Sequence, residues 1–147
     1  MLRKDFIKSC GFACMGGTLS AILLEGCASH KSIAGQLHDE YIELPLAEFE
    51  VGNGRQKQHK KYLIVNNSAL QYPIAVFRLS ADDYSALWMS CTHQGAELQI
   101  FGDKLECPAH GSTFDNRGHV ENGPAAQHLR SFPLSIANNI LKISLKK

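Results

Sequence analysis

The chain is poor in the features that mark several large classes of protein. Beyond residue 27 it has only two of its five cysteines, Cys91 and Cys107. That excludes a disulfide-dense scaffold and leaves both thiols for chemistry. It has no excess of basic charge: 15 Lys and Arg stand against 14 Asp and Glu, a formal net charge of +1. With no basic or acidic block, nothing recommends nucleic acid as a partner. Internal repeats and low-complexity tracts are missing, and no apolar run reaches the roughly 20 residues that span a bilayer. Past the N-terminal segment no window sustains a 3.6-residue period, which argues against a helical core. No G-x-S-x-G or similar nucleophile context occurs. What remains, at 147 residues, is one domain with a modest core.

The first 27 residues read as a targeting segment rather than as part of the fold. Arg3, Lys4 and Lys8 form a basic start, and residues 10–24 follow as an apolar run broken by Gly16-Gly17. This is the length of a signal-peptide core, with a retained membrane anchor as the alternative. RKDFIK (3–8) resembles the twin-arginine export motif with Lys for the second Arg, a route that carries folded proteins. LEGC (24–27) resembles a lipobox with an unusual Glu25, which makes Cys27 the expected lipidated mature N-terminus. Residues 28–38 then read as a flexible tether and 39–147 as the domain.

The body of the chain predicts strands. KYLIV (61–65), IAVFRL (74–79), SALWMS (85–90), ELQIFG (97–102) and ILKISL (140–145) are rich in β-branched and aromatic residues. Turn signals separate them at Gly52 to Gly54, Asn66-Asn67, Gly102-Asp103, Asn116 to Gly118 and Asn138-Asn139. The last lies between LSIA and ILKI, a hairpin signature. Short strands with regular turns predict an all-β fold, an antiparallel sandwich or barrel.

The stretch CTHQGAELQIFGDKLECPAH (91–110) carries the chemistry. Its two arms, C-x-H and C-x-x-H, each deliver one sulfur and one nitrogen. Structural zinc sites of Cys₂His₂ composition usually group like with like, because all four ligands serve one ion. Mixed arms suit two metal atoms, one collecting the sulfurs and the other the nitrogens. A [2Fe–2S] rhomb with Cys₂ on one iron and His₂ on the other is such an object. A structural zinc domain of adhesive or assembly role stays as the alternative.

CTHQG (91–95) and CPAHGSTFD (107–115) resemble the two cluster-binding loops of the Rieske iron–sulfur family, and GPA (123–125) resembles its proline loop. The resemblance runs from about residue 40 to the end and is densest over 88–126. It implies a Rieske-type β fold with a small cluster-binding subdomain and one [2Fe–2S] cluster per chain. Cys91 and Cys107 would bind the inner iron, and His93 and His110 the outer iron. An oxidised 2+ core with two thiolates and two neutral imidazoles totals zero, and reduction takes it only to −1. Imidazole ligation therefore raises the reduction potential over that of a four-Cys cluster.

Departures from the family pattern bear on that potential. Ala96 and Ala109 occupy the positions of a disulfide that joins the loops in high-potential members. Ser112 is kept, able to hydrogen-bond a bridging sulfide, whereas Phe114 replaces a Tyr that donates to a ligand sulfur. An intermediate-to-low potential for the class is expected. His30, His38, His59, His119 and His128 read as having no chemical role. Trp88 and Phe101 read as core residues of strands flanking the site.

The implied function is a one-electron carrier at the bacterial cell envelope, membrane-anchored by lipid or signal with its domain on the periplasmic side. Its expected partners are redox proteins or a membrane oxidoreductase complex. The alternative role is the Rieske subunit of a membrane quinol-oxidising complex.

Overall fold

The computed structural model describes residues 32–52 and 58–146. The signal segment (1–27), the expected lipid site Cys27 and residues 28–31 lie outside the described residues. The described chain runs β1 (Ser32–Ala34), β2 (Gln36–His38), β3 (Tyr41–Pro45), a 3-10 turn (Leu46–Phe49), β4 (Glu50–Val51), β5 (Gln58–His59), β6 (Tyr62–Asn66) and β7 (Ile74–Arg78). It continues with β8 (Tyr84–Trp88), β9 (Gln99–Phe101), β10 (Lys104–Glu106), β11 (Thr113–Phe114), β12 (Val120–Asn122), β13 (Leu134–Ala137) and β14 (Ile140–Ser144). The expected all-β fold is what the residues form. No helix among the described residues is long and apolar enough to cross a membrane.

Three four-stranded sheets make the body. A middle sheet has the order β1-β6-β7-β8, a base sheet β13-β14-β3-β2, and a third sheet β12-β11-β10-β9. Neighbours are antiparallel except β1 and β6. The middle sheet is covered on both faces. Ile74 and Val76 of β7 pack into one core with Ile42, Leu44, Leu141 and Ile143 of the base sheet. Ala75 and Phe77 point the other way, into a core with Ile100, Leu105 and Phe114 of the third sheet and with Leu98 just before it. Ala86 and Leu87 of β8 divide between the two cores in the same manner. A strand buried on both faces has no need of polar alternation, which is why IAVF reads as a continuous apolar run.

The hairpin between β13 and β14 forms as expected, with Asn138 and Asn139 at φ of 52° and 60°. Both central residues of a type I′ turn need positive φ, and Asn tolerates it. Two expectations about packing change. Phe101 is 57% exposed, because Leu98, just before β9, and Ile100 within it take the inward positions and leave Phe101 on the outer face. Trp88 is half-buried against the base core, and its Nε1 donates to Tyr72 O at 3.2 Å.

The tether expected over 28–38 also needs correction, since residues 32–38 form strands. Ser32 to Ala34 run parallel to Ile64 to Asn66, and Gln36 to His38 pair with Tyr41 to Glu43. Gly35 sits where the chain passes from the middle sheet to the base sheet. A Cβ there would stand 2.6 Å from Ile42 Cγ2 and 2.7 Å from Val65 Cγ1, both in the core. Only a residue without a side chain allows that approach. Gly35→Ala is expected to destabilise the domain by about 1–3 kcal/mol, the usual cost of overpacking. Denaturant unfolding checks the loss, and amide exchange should show β1 released first.

Candidate metal centre

Cys91 lies three residues after β8, and Cys107 immediately follows β10. The two loops they open are closed by the same hydrogen bonds. Cys91 N–H donates to Ala96 O at 2.8 Å, and Gly95 N–H donates to Cys91 O at 2.7 Å. In the second loop Cys107 N–H donates to Ser112 O at 2.8 Å, and Gly111 N–H to Cys107 O at 2.9 Å. Each loop is thus a Cys-x-x-x-Gly turn, with Gly95 at φ 71° and Gly111 at φ 75°. A Cβ on either glycine would meet nothing within 4 Å, so the requirement is the left-handed backbone and not space. The loops differ in where the imidazole stands, two residues after the first Cys and three after the second.

The four side chains occupy two levels. Cys91 and Cys107 are buried, at 2% and 1% exposure, within the core beneath the loops. His93 and His110 are exposed, with ring centroids 5.0 Å apart and planes at 85°. Burial pushes the Cys91 thiol above its ordinary value, the backbone N–H of His93 partly offsets this, and the Cys107 thiol beside it adds to the rise. A cation held between the sulfurs would reverse the effect by stabilising both thiolates. Among the described residues no three His, Cys, Asp or Glu side chains converge as a single ion would require. A sulfur pair below a nitrogen pair fits a two-metal group.

Ser112 is fully buried between the loops. Its Oγ accepts the Ala125 N–H at 3.0 Å, which leaves the hydroxyl proton free to donate. This bond ties the second loop to the segment Gly123-Pro124-Ala125, where the Gly123–Pro124 peptide is cis. Thr92 Oγ1 donates to Gln127 O at 2.6 Å and ties the first loop to the same segment. Asn122 Nδ2 reaches Gly111 O at 3.4 Å. The loops, with Ala96 and Ala109 at the expected bridge positions, are therefore linked through a third segment. Phe114 is fully buried in the core under the site and has no group to donate. Residues 91–96, 107–112 and 123–127 contain no Asp, Glu, Lys or Arg, so the tip is uncharged apart from its imidazoles.

Sequence reasoning singled out the two arms and Ser112 but missed Thr92 and Gln127, since nothing in their spacing marks a loop clasp. It also gave no role to a polar group beside the site. Asp115 Oδ1 accepts the N–H of Arg117 and of His119, each at 2.8 Å, and its Oδ2 lies 2.9 Å from His119 Nδ1. Burial pushes the Asp115 carboxyl up, but these bonds outweigh it and hold the group below the usual carboxylate range. His119 stacks edge-on against His128 at 5.0 Å, and His128 Nδ1 accepts the Val120 N–H at 3.2 Å. These residues brace the turn after β11.

A family model described as the Rieske [2Fe-2S] domain matches residues 49–133. The chain belongs to the Rieske family. It is a Rieske electron-transfer domain and binds a [2Fe–2S] cluster, which sets aside the zinc alternative. The cytochrome b6-f complex iron-sulfur subunit 2 of Nostoc sp. is 33% identical over 57 residues, covering 37% of this chain and 32% of that protein. The chain thus spans about a third of the length of the curated relatives it matches. The cyanobacterial plasma membrane Rieske protein PetC3 from Synechocystis is 26% identical over 57% of this chain and 86% of its own, with a TM-score of 0.50. The structure of a complex of reduced oxygenase and oxidized ferredoxin in carbazole 1,9a-dioxygenase matches 75% of this chain and 97% of its own at 24% identity and a TM-score of 0.55. That likeness is one of fold alone.

The clasp through Thr92 is open to a direct check. Thr92→Val keeps the shape and deletes the donor to Gln127, and is expected to cost about 1 kcal/mol. Amide exchange at 123–127 should quicken while exchange in β7 stays unchanged.

Proposed function

We propose that Cys91, His93, Cys107 and His110 hold the cluster of a one-electron carrier anchored at the bacterial cell envelope, its domain on the periplasmic side. The observation that carries the ligand assignment is the buried thiol pair beneath an exposed imidazole pair. The cluster supplies a single reversible electron. The two cysteines hold its inner side, where the core excludes water and keeps the local dielectric low. The exposed edges of His93 and His110 face a partner across an uncharged tip. Ser112 is placed to donate its hydroxyl proton into the site while Ala125 holds its oxygen. Phe114 packs where a tyrosine would add a second donor.

The anchored, exported placement draws on the basic start and apolar run of residues 3–24 and on LEGC at 24–27. The description of PetC3 as a plasma membrane protein is consistent with it. A second reading, the Rieske subunit of a quinol-oxidising complex, is favoured by the similarity to the cytochrome b6-f iron-sulfur subunit. Ala96, Ala109 and Phe114 weigh against it, because high-potential members carry a disulfide and a tyrosine there.

Potentiometric titration separates the two. The carrier reading predicts a value in the lower half of the family range of roughly −150 to +300 mV. Phe114→Tyr should raise it by adding a donor, and Ser112→Ala should lower it by removing one. A value near the top of the range favours the quinol reading. Mass spectrometry of the membrane fraction tests the anchor: the expected mature chain begins at a lipid-modified Cys27. An unmodified Cys27 inside a longer chain would refute that part.

A further inference from the structure

The first strand shortens the link between the expected lipid site and the domain. Ser32 to Ala34 pair with Ile64 to Asn66 in the middle sheet, so only residues 28–31 separate Cys27 from ordered strand. The five residue steps from Cys27 to Ser32 span at most about 18 Å when fully extended. The strand also enters the sheet in a fixed direction. β1 is parallel to β6, β6 is antiparallel to β7, and β7 is antiparallel to β8. β1 and β8 thus run the same way, and the Ser32 end of β1 faces away from the end at which β8 leaves for the first cluster loop.

The register sets the height of that entry. Ser32 pairs with Ile64, Ile64 with Ala75 and Ala75 with Leu87. Past Leu87 the chain stays extended: Leu98 N–H donates to Met89 O at 3.0 Å, and Ser90 bridges Glu97. At about 3.3 Å per residue, Cys91 therefore stands about 13 Å beyond the level of Ser32. Its thiol is buried, while His93 and His110 are exposed above it. To set those imidazoles against a bilayer that holds Cys27, the chain would have to turn back before Ser32. The tightest reversal, a two-residue hairpin loop at 30–31, would put residue 29 beside Ser32 and Cys27 beside Ala34, a gain of about 7 Å. Cys27 would still fall about 6 Å short of Cys91, with the imidazole edges further out.

We propose that the short link keeps the His93–His110 tip turned from the lipid, so that the electron partner is a water-soluble redox protein rather than a quinol in the bilayer. This rests on the lipidated Cys27 of the proposed function. The end of the middle sheet nearer the lipid is the one where Lys61 leads into β6. The chemistry of the tip fits a soluble partner. Residues 91–96, 107–112 and 123–127 hold no Asp, Glu, Lys or Arg, so the complementary patch on the partner is uncharged as well. A single electron passes between the cluster and the partner's own redox centre, and no bond forms or breaks.

The test uses the lipidated, cluster-loaded chain in phosphatidylcholine vesicles. With Cys27 modified and Cys91 and Cys107 held as ligands, a nitroxide can be placed on Lys61→Cys or on Ala126→Cys, both at exposed positions. With the cluster oxidised, a nickel chelate carried on the lipid headgroup should relax the label at 61 several-fold more strongly than the label at 126. Inserting about twelve Gly and Ser residues between Ala28 and Ser29 should bring that ratio toward one. A soluble c-type cytochrome should oxidise the reduced cluster as fast on vesicles as in detergent solution. Equal or stronger relaxation at 126 overturns the proposal, as does a ratio that the insertion leaves unmoved. A rate that falls about tenfold on vesicles overturns it too, since the tip would then be covered by lipid. If mass spectrometry finds Cys27 unmodified, the anchor reading fails and takes the proposal with it. A lipidated chain that relaxes most at 126 refutes the orientation alone.

Discussion

The burial of β7 on both faces is the constraint from which the rest of the structure follows. Four successive apolar residues, Ile74 to Phe77, send alternate side chains into two cores. The middle sheet therefore cannot stand alone: it needs one layer over Ile74 and Val76 and another over Ala75 and Phe77. The base sheet supplies the first from the two ends of the domain, and the third sheet supplies the second from residues 99–122. Because that third sheet must lie on β7 and β8, the loop leaving β8 and the loop leaving β10 arrive next to one another. The thiols of Cys91 and Cys107 come to rest in the second core as part of its packing.

That placement gives the site its layered chemistry. Sulfur, the more easily desolvated donor, lies inside; imidazole, polar and hydrogen-bonding, lies at the surface. The twin Cys-x-x-x-Gly turns explain why the two cysteines sit alike, and the different offsets of His93 and His110 allow the two rings to meet edge to face. Thr92 and Ser112 clasp the segment around Pro124 and Asn122, just before it, reaches back to Gly111 O, in a chain where Ala96 and Ala109 supply no covalent bridge.

Much of this was legible in the residues. The five apolar runs became β6, β7, β8, β9 and β14, and the mixed arms at 91–110 pointed to a two-metal group because single-ion sites rarely mix their ligands so. Other parts left no signal. SIAGQLH looked like a linker, since three-residue strands have no room to show a period and Gly35 reads as a breaker until its contacts with Ile42 and Val65 are seen. Phe101 was misplaced by its spacing, because the inward register of this stretch is the one that Leu98 and Ile100 carry two residues apart. The clasp residues and the brace of Asp115, His119 and His128 each join segments apart in sequence, and only the sheet topology brings them together.

Nitrogen couplings in the reduced protein, read by pulsed electron paramagnetic resonance alongside iron and sulfide analysis, test the central claim most directly. The account predicts about two iron and two sulfide per chain, with two histidine nitrogens coupled to the reduced centre. Each of His93→Cys and His110→Cys should remove one coupling. Stoichiometric zinc in protein made with ample iron, or couplings that survive both substitutions, would contradict it.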